Sequence, residues 1–208
     1  NDACPASLEE AFARTVRETV ACNNWPADFP YAPQVGFRIF HTGADLLLRF
    51  DIAERCTAAR TLDDNGPVWT DSCAEFFFRP EGSDSYYNFE CNCIGTLLVG
   101  HRRDRTQAEH APAEVLRTVR RRATYPHAPL PETEGDNRWT LTLAIPAAAL
   151  FRDRIAGWDG VQGAMNLYKC GDDLSCPHYL SWRPVGTPAP DFHRPEFFEP
   201  VFFEPKKQ

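Results

Sequence analysis

Residues 67–95 read PVWTDSCAEFFFRPEGSDSYYNFECNCIG, and the fold turns on how this stretch is read. Two strand-like runs flank EGSD, a cluster of turn-forming residues. In a strand, residues two apart share a face. Trp69, Asp71, Cys73, Glu75 and Phe77 therefore line one side of the first run, opposite Ser72, Ala74, Phe76 and Phe78. Tyr86, Asn88, Glu90 and Asn92 line one side of the second, opposite Tyr87, Phe89, Cys91 and Cys93. The second set of each pair can build a core. The first set is costly to bury, since an unpaired buried carboxylate or amide loses about 1–3 kcal/mol. A wet concave face resolves the conflict. Spacing alone leaves two readings open: the solvated side of an antiparallel sheet with Trp69 at its rim, or a trough that grips a polar ligand.

The same period of two recurs along the chain. Residues 35–41, 45–52, 95–101, 138–145, 161–169 and 178–183 read as strands, and 113–124 reads as a strand on its β-branched Val115, Thr118, Val119 and Thr124. The first 20 residues differ: Ser7 with Glu10 fits a capping box, and Leu8, Phe12, Val16 and Val20 recur every four residues, which predicts a helix. Pro146 opens a short helical turn, and the aromatic, proline-rich tail from Arg194 to Glu204 reads as an edge strand or a wrapping segment. About nine short strands predict an all-β protein, an antiparallel β-sandwich with immunoglobulin- or jelly-roll-like layers and a short N-terminal helix. The expected organisation is a helical extension over 1–24 and one sandwich domain over 25–208.

A net charge of −7 argues against nucleic acid or an anionic membrane as partner. The clusters Arg102, Arg103, Arg105 and Arg117, Arg120, Arg121, Arg122 read as solvated surface. No apolar run reaches the roughly 18–20 residues needed to cross a bilayer. The single methionine is Met165 and the chain begins at Asn1, so the start reads as processed; a cytoplasmic protein and a periplasmic or extracellular one after leader removal are both consistent. The spacing of the eight cysteines fits no paired C-x-x-C zinc motif. Cys170 and Cys176 bracket a short loop that a disulfide could close, and the other thiols read as small buried hydrophobes. A second polar-aromatic group gathers late in the chain: Asn166, Tyr168, Lys169, His178 and Trp182.

PVWTDSCAEFFFRP followed by YYNFECNCIGTLL, with NLYKCGDDLSCPHYLSW and PDFHRPEFF, resembles the family-nine-like carbohydrate-binding modules, specifically their stand-alone Bacteroidetes branch. The resemblance runs from about Trp25 to Phe203 and leaves the first 20 residues outside. It implies a β-sandwich that binds a mono- or oligosaccharide without catalysis, in the service of polysaccharide breakdown. It also implies two tryptophans clamping the sugar. Trp69, preceding Asp71, Ser72 and Glu75, matches the first with its D-S-x-x-E motif, and Trp182 is the candidate for the second. No arginine stands near residues 90–96, where the resemblance implies one. The expected binding set is Trp69, Asp71, Glu75, Asn88, Glu90, Asn92, Asn166, Tyr168, Lys169, His178 and Trp182. No cofactor is expected; structural calcium, known in some relatives, would need a carboxylate loop, and no D-x-D-x-D is present.

Two other functions compete. A glycoside hydrolase or lyase could use Glu75 and Glu90 as its carboxylate pair. A haem or electron-transfer sandwich would need axial ligands such as Met165 and a histidine.

Overall fold

A computed structural model describes residues 6–205. Among the described residues, thirteen strands form two antiparallel sheets. The strands are β1 (Glu18–Thr19), β2 (Cys22–Asn23), β3 (Gln34–His41), β4 (Asp45–Ala59), β5 (Cys73–Pro80), β6 (Tyr86–Asn92), β7 (Leu97–Arg102), β8 (Ala108–His110), β9 (Arg120–Ala123), β10 (Leu130–Pro146), β11 (Gln162–Cys170), β12 (Tyr179–Ser181) and β13 (Glu199–Phe202). The smaller sheet runs β1-β3-β4-β10-β9 and the larger β2-β12-β11-β5-β6-β7-β8, with β13 also pairing β11. The sandwich expected from the alternation is present.

The alternation also sets the core. Along β4 the even-numbered Leu46, Leu48, Phe50 and Ile52 point inward, and along β10 Trp139, Leu141, Leu143 and Ile145 do the same. They meet Ala74, Phe76, Phe78, Tyr87, Phe89, Cys91 and Cys93 of the larger sheet, the set assigned to the core from the sequence. Burial of this apolar area, at about 25 cal/mol per Å², is what joins the sheets.

Several elements differ from the sequence reading. Helix α1 covers only Ala6–Arg14; residues 1–5 lie outside the described residues. Phe12 packs on Leu47 and Ala144 across the outer face of the smaller sheet, whereas Val16 is exposed, so the four-residue row breaks where the helix ends. Residues 18–23 are stitched into both sheets through β1 and β2. The 113–124 segment divides into a helical turn α2 (Ala113–Leu116) and β9. Residues 68–70 form a 3₁₀ turn, and the strand begins only at Cys73. Trp69 and Asp71 therefore do not continue the face of Glu75. The tail is an edge strand, as its prolines allow: Pro200 of β13 lies opposite Ala164 of β11.

Cys176 bonds Cys56, not Cys170, across a separation of 120 residues. This ties the loop before β12 to β4. Replacing Cys56 with serine should cost about 2–5 kcal/mol, read as a lower denaturation midpoint, because the link restricts the unfolded chain.

Candidate functional site

The outer face of the larger sheet carries the site. Sheet register aligns Tyr168, Glu75, Glu90 and Leu98 in one row across β11, β5, β6 and β7. This face is not the wet surface expected. A second apolar cluster covers much of it, in which Trp25, Val185, Phe192 and Phe198 from the flanking segments lie on Phe77, Tyr86 and Tyr168. Phe192 stacks on Tyr168 at 4.2 Å. What remains open is a cleft of about 440 Å³. Glu75, Glu90 and Cys170 line it, as do Arg102 and Arg105, and Asp172, Tyr179 and His193 complete its walls. Trp69 stands at this cleft with 38% of its surface exposed, while Phe29 and Tyr179 meet edge to face at 4.7 Å beside it.

A 3₁₀ turn, not a strand, presents the indole. The main-chain N–H groups of Asp172 and Asp173 donate to the carbonyls of Trp69 and Thr70, which couples the turn to the loop after β11. Asp71 anchors the turn from below by accepting from the N–H groups of Arg60 and Thr61 and from Asn92 Nδ2.

The floor is acidic and buried. Burial pushes the Glu75 carboxyl well above its usual range, and the facing Glu90 pushes it further. Burial raises Glu90 to about 7, against the hydrogen bond from Asn88 Nδ2 at 2.8 Å and the charge of Arg102. The two carboxyls stand on directly opposed residues, so they titrate as a pair rather than independently. Asp172 rises to about 6 through burial and its neighbour Asp173. His193 falls to about 3 through burial and then Arg102, and its neutral ring shares a hydrogen bond of 2.9 Å with the Tyr86 hydroxyl. Arg102 Nε donates to Asn88 Oδ1 at 2.9 Å over Gly100, where a Cβ would sit 2.5 Å from that oxygen.

A carboxyl raised by folding is protonated in the folded chain while already ionised in the unfolded one. Its stabilising contribution is complete below the unfolded value near 4.5 and is lost as pH rises through about 7. Stability should therefore fall by about 1–3 kcal/mol across that window. Denaturant melts of Glu90→Gln should show a flatter slope there.

The expected residues divide. Trp69, Glu75 and Glu90 meet at the cleft, with Asn88 behind Glu90. Asp71 and Asn92 hold the loop at residues 60–61: Asn92 donates to the Thr61 carbonyl and accepts from Thr96 N. Asn166 is consumed by the main chain of Leu167 and Arg183. Tyr168 is buried beneath Phe192. Lys169 and His178 lie on the other face of the sheet, because alternation sends residue 169 opposite to 168. There Lys169 Nζ contacts Glu54 Oε2, His178 Nε2 and the Cys170 carbonyl, each at 2.8 Å, and both side chains are fully buried. Trp182 also faces inward, edge-on to Phe37 at 5.7 Å with the Arg183 guanidinium 4.0 Å from its ring. Trp69 and Trp182 thus lie on opposite faces of the larger sheet and form no clamp. Met165, the candidate haem ligand, is buried between the sheets.

Sequence reasoning missed Arg102, Arg105, Asp172, Tyr179, Phe192 and His193 as cleft residues. Arg102 and Arg105 were assigned to solvated surface, yet Arg102 is half-buried. One signal was legible: Arg102 stands two residues after Gly100 and four after Leu98, on the face that carries Glu90. A larger groove of about 870 Å³ follows the outer face of the smaller sheet. Its guanidinium groups are already engaged, Arg49 and Arg122 by Glu9 and Arg121 by Asp64, and the rings that border it are the half-buried Tyr125 and the imidazole of His127.

A sandwich with a polar, aromatic-edged cleft on one sheet is the form of a small-ligand-binding module. The profile of carbohydrate-binding family 9 matches residues 2–203, and the chain belongs to that family. The match includes the N-terminal helix, which the sequence reading had left outside. A candidate carbohydrate-binding protein from Bacteroides uniformis is 42% identical, with a TM-score of 0.91 over 95% of this chain and 90% of that one. Family 9 modules from Caldicellulosiruptor kristjanssonii, in complex with glucose and with cellotriose, share the fold at 8% identity. Their TM-scores are 0.58 and 0.56, over 95% of this chain and 88% and 87% of theirs. Comparison with curated proteins finds no match. No helix among the described residues is long and apolar enough to cross a membrane.

Proposed function

We propose that this chain binds a mono- or oligosaccharide in the cleft beside Trp69, without turning it over, as an accessory to polysaccharide breakdown, plant glycans in particular. The observation that carries this reading is a half-exposed indole at a cleft whose floor holds two carboxyls, Glu75 and Glu90. Sugar C–H faces stack on an indole, and hydroxyls need donors and acceptors together. A protonated carboxyl offers both, an ionised one accepts, and Arg102 only donates. Family membership and the glucose and cellotriose complexes of the Caldicellulosiruptor modules support the reading. In place of a second indole, the cleft offers Phe29 and Tyr179. One stacked ring and a few hydrogen bonds, each worth about 0.5–1.5 kcal/mol net, correspond to micromolar to millimolar affinity. Isothermal titration against a panel of neutral and acidic mono- and oligosaccharides is the test, and silence across the panel removes the reading.

The direct pairing of Glu75 with Glu90 favours a second reading, hydrolysis of an O-glycosyl bond. Hydrolases place their carboxyls on either side of the scissile bond. Neighbours across one strand pair lie on the same side of any bound sugar, which favours binding. Incubated oligosaccharide should stay intact; reducing ends that appear with the native chain and not with Glu75→Gln would replace binding by hydrolysis.

A further inference from the structure

Beneath the carboxyl pair, two buried free thiols meet. Cys73 of β5 and Cys170 of β11 are direct cross-strand partners, and neither is in a disulfide. Glu75, two residues along β5 on the same face, completes a group of one carboxylate oxygen and two sulfurs, all within 4.8 Å of one another. Cys170 Sγ donates to Glu75 Oε1 at 3.0 Å, the one side-chain hydrogen bond that this carboxyl receives among the described residues.

From this geometry we infer that Cys73, Glu75 and Cys170 form a binding site for a thiophilic divalent cation, zinc in the first instance. Three observations carry it. First, the spacing fits. Ligand atoms about 2.0–2.3 Å from a common zinc ion lie no more than about 4.6 Å apart, so a small rotation of the side chains closes the set. Second, the donor set selects. Two sulfurs and one carboxylate suit zinc and similar borderline-soft ions, and do not suit calcium or magnesium, which take all-oxygen sites. Third, the set is open on one side. Glu75 and Cys170 both line the cleft, with Asp172 on the same cleft, so a fourth position faces the cleft, where water, Asp172 or a ligand oxygen can bind. Three protein ligands with a free fourth position characterise zinc sites that engage a ligand, whereas purely structural sites are closed. Binding displaces the two thiol protons to solvent. With Glu75 ionised, the two thiolates and the carboxylate leave one net negative charge around the dication.

The site shares Glu75 with the proposed sugar cleft but does not rest on sugar binding, and its test contains no sugar. The intact chain is equilibrated with zinc, freed of excess, and analysed for bound metal. About one retained equivalent is expected, together with a thiolate-to-metal absorption band when cobalt replaces zinc. Cys170→Ser should lose both. Cys91→Ser, which removes a buried thiol on the inner face, should keep both; Glu75→Gln should keep the band and weaken retention. Thermal melts of each variant report whether it folds, and the cobalt band of the native chain stands whichever variant fails. No retained metal in the native chain, equal retention in a folded Cys170→Ser, displacement of zinc by calcium, or a Cys73–Cys170 disulfide in the purified chain would each overturn the assignment.

Discussion

Trp69→Ala should abolish measurable sugar binding or weaken it by roughly thirtyfold, corresponding to about 2 kcal/mol for a central aromatic anchor. The fold should survive. The indole is 38% exposed, and the turn that bears it is held by main-chain bonds and by Asp71 rather than by the ring. Isothermal titration of the variant reads the loss, and an unchanged melting temperature separates it from unfolding. Trp182→Ala gives the opposite pattern, lower stability with no loss of contact to ligand, since that ring packs against Phe37 inside the sandwich. Full binding in Trp69→Ala would move the ligand out of this cleft.

Lys169→Met should cost about 3–5 kcal/mol by denaturant unfolding, because it strands Glu54 as a buried unpaired charge. Burial alone raises the Glu54 carboxyl, but the Lys169 ammonium, through its charge and its hydrogen bond, outweighs it and holds the group below its usual range. His178 is pushed down to about 3 by burial and by Lys169. It is therefore neutral, accepting from Lys169 through Nε2 and donating through Nδ1 to the Cys176 carbonyl at 2.9 Å. Glu54 also accepts from Trp139 Nε1 at 2.7 Å and from Thr57 Oγ1 at 3.0 Å. Adding Glu54→Gln to Lys169→Met removes the stranded charge while keeping an acceptor for Trp139, and should recover much of the loss. Additive costs in the double variant would show that the two side chains do not act as a pair.

The alternation of residues 73–79 and 85–93 sorted the inner face from the outer one, and the inner face is the core observed. The same arithmetic separates Lys169 from Tyr168, a consequence the sequence reading did not draw when it grouped them. A rule of two assigns a face within a strand; it does not say where the strand begins. Pro67 and the turn it opens end the rule before Trp69, so the indole reached the cleft by a route that spacing does not encode.

What the sequence by itself determined is the layered antiparallel architecture, the family, and the shared face of Glu75 with Cys73 and of Glu90 with Asn88, because strand periodicity is a local property of the backbone. Only the tertiary structure decided which polar residues line the cleft. Arg102, Asp172 and His193 come to the cleft from separate segments, while Asn166, Asn92, Lys169 and His178 are drawn into internal bonds. Every buried polar group must find a partner, and the partners lie far away along the chain. Cys56 and Cys176 illustrate the same limit: 120 residues apart, they become neighbours only when the two sheets close.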